Sequence, residues 1–94
     1  LGLEVYLERL EEKRTILDAL LEGYNDGRRK TLFTTAVYLL PLEDLRTVMV
    51  TLTSQPERTE QPVKERALAA VGLLQEAANH RGVSLKLNKK SKKG

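Results

Sequence analysis

The 94-residue sequence contains no cysteine, no tryptophan and a single histidine, His80. Without cysteine there is no disulfide framework, no thiolate zinc site and no cysteine nucleophile. One histidine without cysteine cannot build an ordinary zinc site. A Gly-x-Ser-x-Gly elbow, a Walker-type phosphate loop and a dinucleotide glycine fingerprint are missing as well. No apolar run approaches the ~18 residues needed to span a bilayer. Leu1 to Glu12 carries five charged side chains where a signal peptide would be continuously apolar. These absences predict a non-enzymatic protein with no metal, no cofactor and no membrane span, and a cysteine-free chain suits the cytoplasm.

Aromatic side chains are almost as scarce. Tyr6, Tyr24, Phe33 and Tyr38 are the whole set, so the core must be aliphatic, with Leu as its main filler. Hydrophobic residues at 40% and charged residues at 31% give a globular rather than a disordered balance. A chain this short has material for one core and not two. The expected organisation is one helical domain over residues 1–87 and a basic flexible tail over 88–94.

The net charge of +3 belongs to that tail. Lys86, Lys89, Lys90, Lys92 and Lys93 are unopposed by any acid in the last twelve residues, which leaves −2 on everything before them.

What is present is helical periodicity. Leu3, Leu7, Leu10, Leu17, Leu21 and Tyr24 fall on one stripe at three- and four-residue spacing, broken at Lys13 and Arg14 and widened by Tyr6 and Leu20. The spacing predicts a helix over 3–24, closed by the turn Gly23-Tyr24-Asn25-Asp26-Gly27. Arg28 to Leu40 predicts a second helix, apolar nearly all round its latter half and therefore central. Pro41 interrupts, and Leu42-Glu43-Asp44-Leu45 reads as a new first turn with its acids at the positive end. Thr47 to Thr53 admits two readings. Leu45, Val48, Met49 and Leu52 keep helical spacing, whereas Val48, Val50 and Leu52 alternate with their neighbours like a strand. Pro62 opens a last helix with an Ala-rich face (Val63, Ala67, Leu68, Ala70, Val71, Leu74, Ala78), and Gly82 lies just past its end. Val83-Ser84-Leu85-Lys86-Leu87 alternates like a short strand.

The fold class expected is all-α, a compact bundle of three to four helices with a short C-terminal strand as an addition. The alternative is α+β, with strands near 47–53 and 83–87.

Three features carry chemistry. Arg28, Arg29 and Lys30 crowd the start of the second helix, where cations oppose the macrodipole, and could gather a phosphate or carboxylate. The competing reading is that Asp18, Glu22 or Asp26 neutralises them, or that the helix begins only at Thr31. Lys89, Lys90, Lys92 and Lys93 could bind nucleic acid without sequence preference, although no aromatic platform stands beside them. The stripe of the first helix (Leu3, Tyr6, Leu10, Leu17) is longer than the second helix can cover, and its excess predicts an interaction surface for a second copy or another protein. Carboxylates such as Glu8, Glu11 and Glu12, or Glu43 and Asp44, read first as solvated surface, and His80 as a cation at a helix C-terminus. The functional expectation is a small non-catalytic protein–protein interaction or oligomerisation module. The alternative is a nucleic-acid-binding accessory domain using the basic loop and the Lys tail.

Overall fold

The computed structural model describes residues 2–55 and 62–85. Within them the chain forms four helices: α1 (Leu3–Leu21), α2 (Gly27–Leu39), α3 (Leu42–Thr53) and α4 (Val63–Arg81). The all-α reading holds, and the α+β alternative falls. Residues 86 and 87 of the expected strand lie outside the described residues, as does the tail 88–94.

The ambiguous segment 47–53 is helical for two reasons. Burial follows a helical interval, since Leu45, Val48 and Leu52 are inside while Val50, which a strand would bury with them, is 62% exposed. The threonine hydroxyls also find acceptors one turn back: Thr47 donates to the Glu43 carbonyl at 3.0 Å and Thr53 to the Met49 carbonyl at 3.0 Å. Packing and these local bonds override the β-branched composition.

Short connections dictate how the helices pair. Five residues separate α1 from α2, so the two pack as an antiparallel hairpin. Gly23 makes the reversal in the left-handed region (φ 74°), and the Tyr24 amide donates to the Leu21 carbonyl at 2.8 Å. Pro41 then stops α2. Leu40 ahead of it is forced to extended dihedrals (φ −87°, ψ 149°), and only Leu40 and Pro41 separate α2 from α3. α3 returns along α1 in the same direction, since Leu42 and Glu43 sit beside Val5 and Glu8, while Leu52 sits beside Leu20. α4 runs back against α3, placing His80 by Asp44 and Leu73 by Thr51. Each helix therefore flanks two others around a shared core, in the spatial order α1–α2–α4–α3.

The buried residues form one aliphatic cluster: Ile16 and Leu20 from α1, Leu32, Phe33, Ala36 and Val37 from α2, Leu45, Val48 and Leu52 from α3, and Ala67, Ala70, Val71, Leu74 and Ala78 from α4. The expected Ala-rich face of α4 is largely the face that packs, the alanines letting its backbone approach closely; Leu68 departs from it and faces solvent. Phe33 is completely buried and meets Tyr24 edge to face, with ring centroids 6.2 Å apart. Two expectations need correcting. Tyr24 is a core residue that lies beyond the end of α1, not in its last turn. α2 is not buried all round, because Leu39 and Tyr38 face solvent at its last turn.

The end of α4 is closed as expected by Gly82, whose φ of 74° is left-handed. The Val83 amide donates to the Ala78 carbonyl at 2.8 Å and the Gly82 amide to the Asn79 carbonyl at 3.1 Å. This pair of bonds turns the chain back, so that Val83 is half-buried and Leu85 buried against the bundle. Residues 83–85 thereby satisfy part of their apolar pattern by capping a helix, not by pairing as a strand. Phe33→Ala is expected to cost about 3–5 kcal/mol of stability and Gly82→Ala about 1 kcal/mol, both read from urea unfolding followed by circular dichroism.

Candidate functional site

The stripe expected to mediate interaction divides in the folded chain. Leu17 packs against the core and Leu10 is half-buried, whereas Leu3 is 70%, Tyr6 59% and Leu7 51% exposed. The cause is a mismatch of lengths. α1 has 19 residues and α2 has 13, so at 1.5 Å per residue the antiparallel hairpin leaves α1 about 9 Å longer than its neighbour. Leu3, Tyr6, Leu7 and Leu10 share the face that Leu17 and Leu21 turn inward, and that face continues past the point where Pro41 ends α2. What is exposed is a core-facing stripe with no helix to face.

The other side of this projecting end is covered. Val5, Glu8, Arg9 and Glu12 border a hollow of about 230 Å³ against Leu42, Glu43 and Arg46 of α3. There Arg46 grips Glu12 with both ends of its guanidinium, Nε to Oε2 at 2.7 Å and Nη2 to Oε1 at 2.8 Å. A second clamp joins α4 to α3: Arg81 Nε donates to Asp44 Oδ2 at 2.8 Å and Nη2 to Oδ1 at 3.3 Å, with Glu43 Oε2 3.7 Å away. Hydrogen bonds from these guanidinium groups hold the Glu12 and Asp44 carboxyls below the ordinary carboxylate range and push both arginines up. From sequence both carboxylates read as solvated surface; they do lie at the surface, and each is held there by an arginine from another helix. Nothing at a separation of 34 or 37 residues in the chain announces such pairs.

Lys13 interrupts the apolar stripe at the point where α1 enters the bundle. Partial burial lowers its pKa, and Arg9 one turn earlier adds to that.

The basic cluster lies at the opposite end of the molecule. Asp26 caps α2, its Oδ1 accepting the amides of Arg28 at 3.0 Å and Arg29 at 3.3 Å. The helix thus begins at Gly27 and not at Thr31, whose hydroxyl instead donates to the Gly27 carbonyl at 3.1 Å. The carboxylate of Asp26 already occupies the positive end of α2 and offsets the crowding of Arg28, Arg29 and Lys30. Arg28 is exposed and the other two are half-exposed. Leu85, from which the tail departs, is at the far end of the bundle beside the last turn of α4. Arg28–Lys30 and the departure point of the Lys tail therefore sit at opposite poles of the body. Lys89, Lys90, Lys92 and Lys93 lie outside the described residues.

His80 borders a groove of about 480 Å³ between α3 and α4, with Asp44, Glu76, Thr47 and Thr51. Asp44 faces it already held by Arg81. Among the described residues, no three His, Asp or Glu side chains converge as a metal site would require. Compared with family models, curated proteins and solved structures, the chain matches none.

The clamps make stability sensitive to acid. A carboxyl whose pKa is lowered by folding stabilises the native state above its ordinary range, and that contribution disappears as pH falls through the folded value. Unfolding free energy is expected to decline as pH drops below about 4. Asp44→Asn should flatten that decline, as measured by urea unfolding at a series of pH values.

Proposed function

We propose that this chain is a non-catalytic protein–protein interaction module that self-associates through the projecting start of α1. One observation carries the reading: Leu3, Tyr6 and Leu7 present a continuous apolar face over the first two turns, in line with Leu17 and Leu21, which pack partly buried against the core further along the same helix. Isolated exposed apolar residues are ordinary. A core-facing stripe that runs on beyond its covering helix is not, because folding has ordered it without removing it from water.

The geometry favours two copies overlapping antiparallel. In that arrangement each α1 start fills the space beyond the partner's shorter α2, and the two bodies extend away from one another without collision. A parallel arrangement would drive the later turns of one α1 into the other copy's α2. The patch is two turns long, well short of the roughly 1,200–2,000 Å² total that a stable specific interface buries. The association expected is accordingly weak and reversible, and its rim is polar: Glu4, Glu8 and Glu11 lie along one edge of the stripe.

Sedimentation velocity across a concentration series tests this. The wild-type chain is expected to shift from monomer toward dimer as concentration rises. The triple substitution Leu3→Gln, Tyr6→Gln and Leu7→Gln should remain monomeric, with its unfolding free energy changed by no more than about 0.5 kcal/mol per site, since the positions are exposed and glutamine supports a helix. A wild-type chain that stays monomeric throughout, or a variant that associates equally well, overturns the reading.

A further inference from the structure

The large apolar side chains left open to water gather at one pole. Leu3, Tyr6 and Leu7 begin α1, while Tyr38 (44% exposed) and Leu39 (53%) end α2. Because α1 and α2 are antiparallel, the start of one and the end of the other lie together. Counted back from the connection between Leu21 and Gly27 at equal rise per residue, Tyr38 comes level with Leu10.

Helical phase separates Tyr38 from Leu39. α1 turns Val5, Arg9 and Glu12 toward α3, so its flank with Leu3, Leu7 and Leu10 lies on the α2 side. Seen along α1 from its first turn, successive side chains advance clockwise by about 100°. The core of α1 centres on Ile16 and Leu20, which puts α3 to its left and α2 to its right. α2 returns toward the viewer, so its side chains advance anticlockwise about a core centred on Phe33, Ala36 and Leu40. Lys30 and Val37 then fall on the α1 flank of α2, and Leu32 and Leu39 on the α4 flank. Tyr38, one turn after Thr34, points out of the α1–α2 layer on the same side as Leu3 and Leu7. The same sense of winding puts Leu73, Ala77 and His80 on the α3 side of α4, where they line the groove between those helices. Tyr38 therefore widens the exposed stripe of α1 across the end of α2. Leu39, although more exposed, does not.

We infer that Tyr38 is the second half of the association face. This rests on the reading that two copies join antiparallel through the starts of α1. In that arrangement the α1 start of each copy occupies the space past the other's α2, and Tyr38 is the last outward side chain that α2 offers it. The ring packs against Leu3 and Leu7 of the second copy, and its hydroxyl stays in water at the rim. A twofold axis makes the contact twice. The two-turn patch alone falls well short of a standard interface, and a half-exposed tyrosine adds on the order of 100 Å² per copy. The joint is then built from four helix ends, two from each chain.

Tyr38 and Leu39 are sequence neighbours of similar exposure, so comparing them separates position from hydrophobicity. In sedimentation velocity over a concentration series, Tyr38→Gln is expected to raise the dimer Kd about tenfold, and Leu39→Gln by less than about twofold. Tyr38→Phe should associate as the wild type does, because the ring carries the contact. Cross-linking gives a second measurement that does not depend on losing a side chain's packing. Leu3→Cys chains oxidised together with Tyr38→Cys chains should form the mixed disulfide in several-fold excess over Leu3→Cys with Leu39→Cys, and the chain has no cysteine of its own to compete. An unchanged Kd for Tyr38→Gln, an equal loss in Leu39→Gln, or equal yields of the two mixed disulfides overturns the inference. If the triple substitution on α1 abolishes dimers while Tyr38→Gln leaves them intact, Tyr38 alone is removed and the association reading stands. A wild-type chain that is monomeric at every concentration removes both.

Discussion

Pro41 sets the length of α2, and the rest of the molecule adjusts to that length. The proline excludes helical dihedrals at Leu40, so α2 ends after thirteen residues whatever its composition would favour. α1 meets no such stop until Gly23. An antiparallel pair of unequal helices must leave part of the longer one uncovered, and the uncovered part here is its apolar side. α3, starting immediately after Pro41, cannot fill the gap, because it departs along the other side of α1, against Val5 and Glu12. One rigid residue thus produces both the tight joint between α2 and α3 and the exposed face at the start of α1.

The energy that holds this arrangement is aliphatic burial. Phe33, Leu32, Val37, Leu40, Leu45 and Leu74 are sealed from solvent and the four helices share a single cluster. The two arginine clamps contribute orientation more than stability, since exposed ion pairs add little. Both sit at the end of the bundle from which α1 projects, tying α1 to α3 and α3 to α4. The opposite end has the Asp26 cap and the cations that come after it. The body consequently separates its charges, and the acidic edge of α1 and the departure point of the lysine segment share one pole.

Much of the fold could be read from residues. The starts and stops of α1, α2 and α4 come from apolar spacing, the Gly23–Gly27 turn, Pro41, Pro62 and Gly82. Segment 47–53 could not be settled that way, because Val48 and Leu52 suit a helix and a strand equally. The exposure of Val50 and the back-bonded threonine hydroxyls decide it, and both exist only once α3 packs. Ile16 was illegible for a similar reason. It stands off the long leucine stripe, on the side of α1 that meets α3, and which side meets which neighbour is a tertiary fact. The exposed end of α1 was legible as an excess of apolar length, but that the division falls between Leu7 and Leu10 depends on where α2 ends. Leu39 misled in the other direction, because it belongs to the same apolar run as the buried Val37 and Leu40 but faces outward.

The fold leaves the first two turns of α1 ordered but open to water, and association should cover them. Amide hydrogen exchange at Leu7 to Leu10, followed as protein concentration is raised, measures that most directly. Protection at these amides is predicted to climb with concentration while that of Ala70 to Ala78 in the core of α4 stays constant. Protection at Leu7 to Leu10 that is already equal to the core at high dilution, or that never responds to concentration, would contradict it.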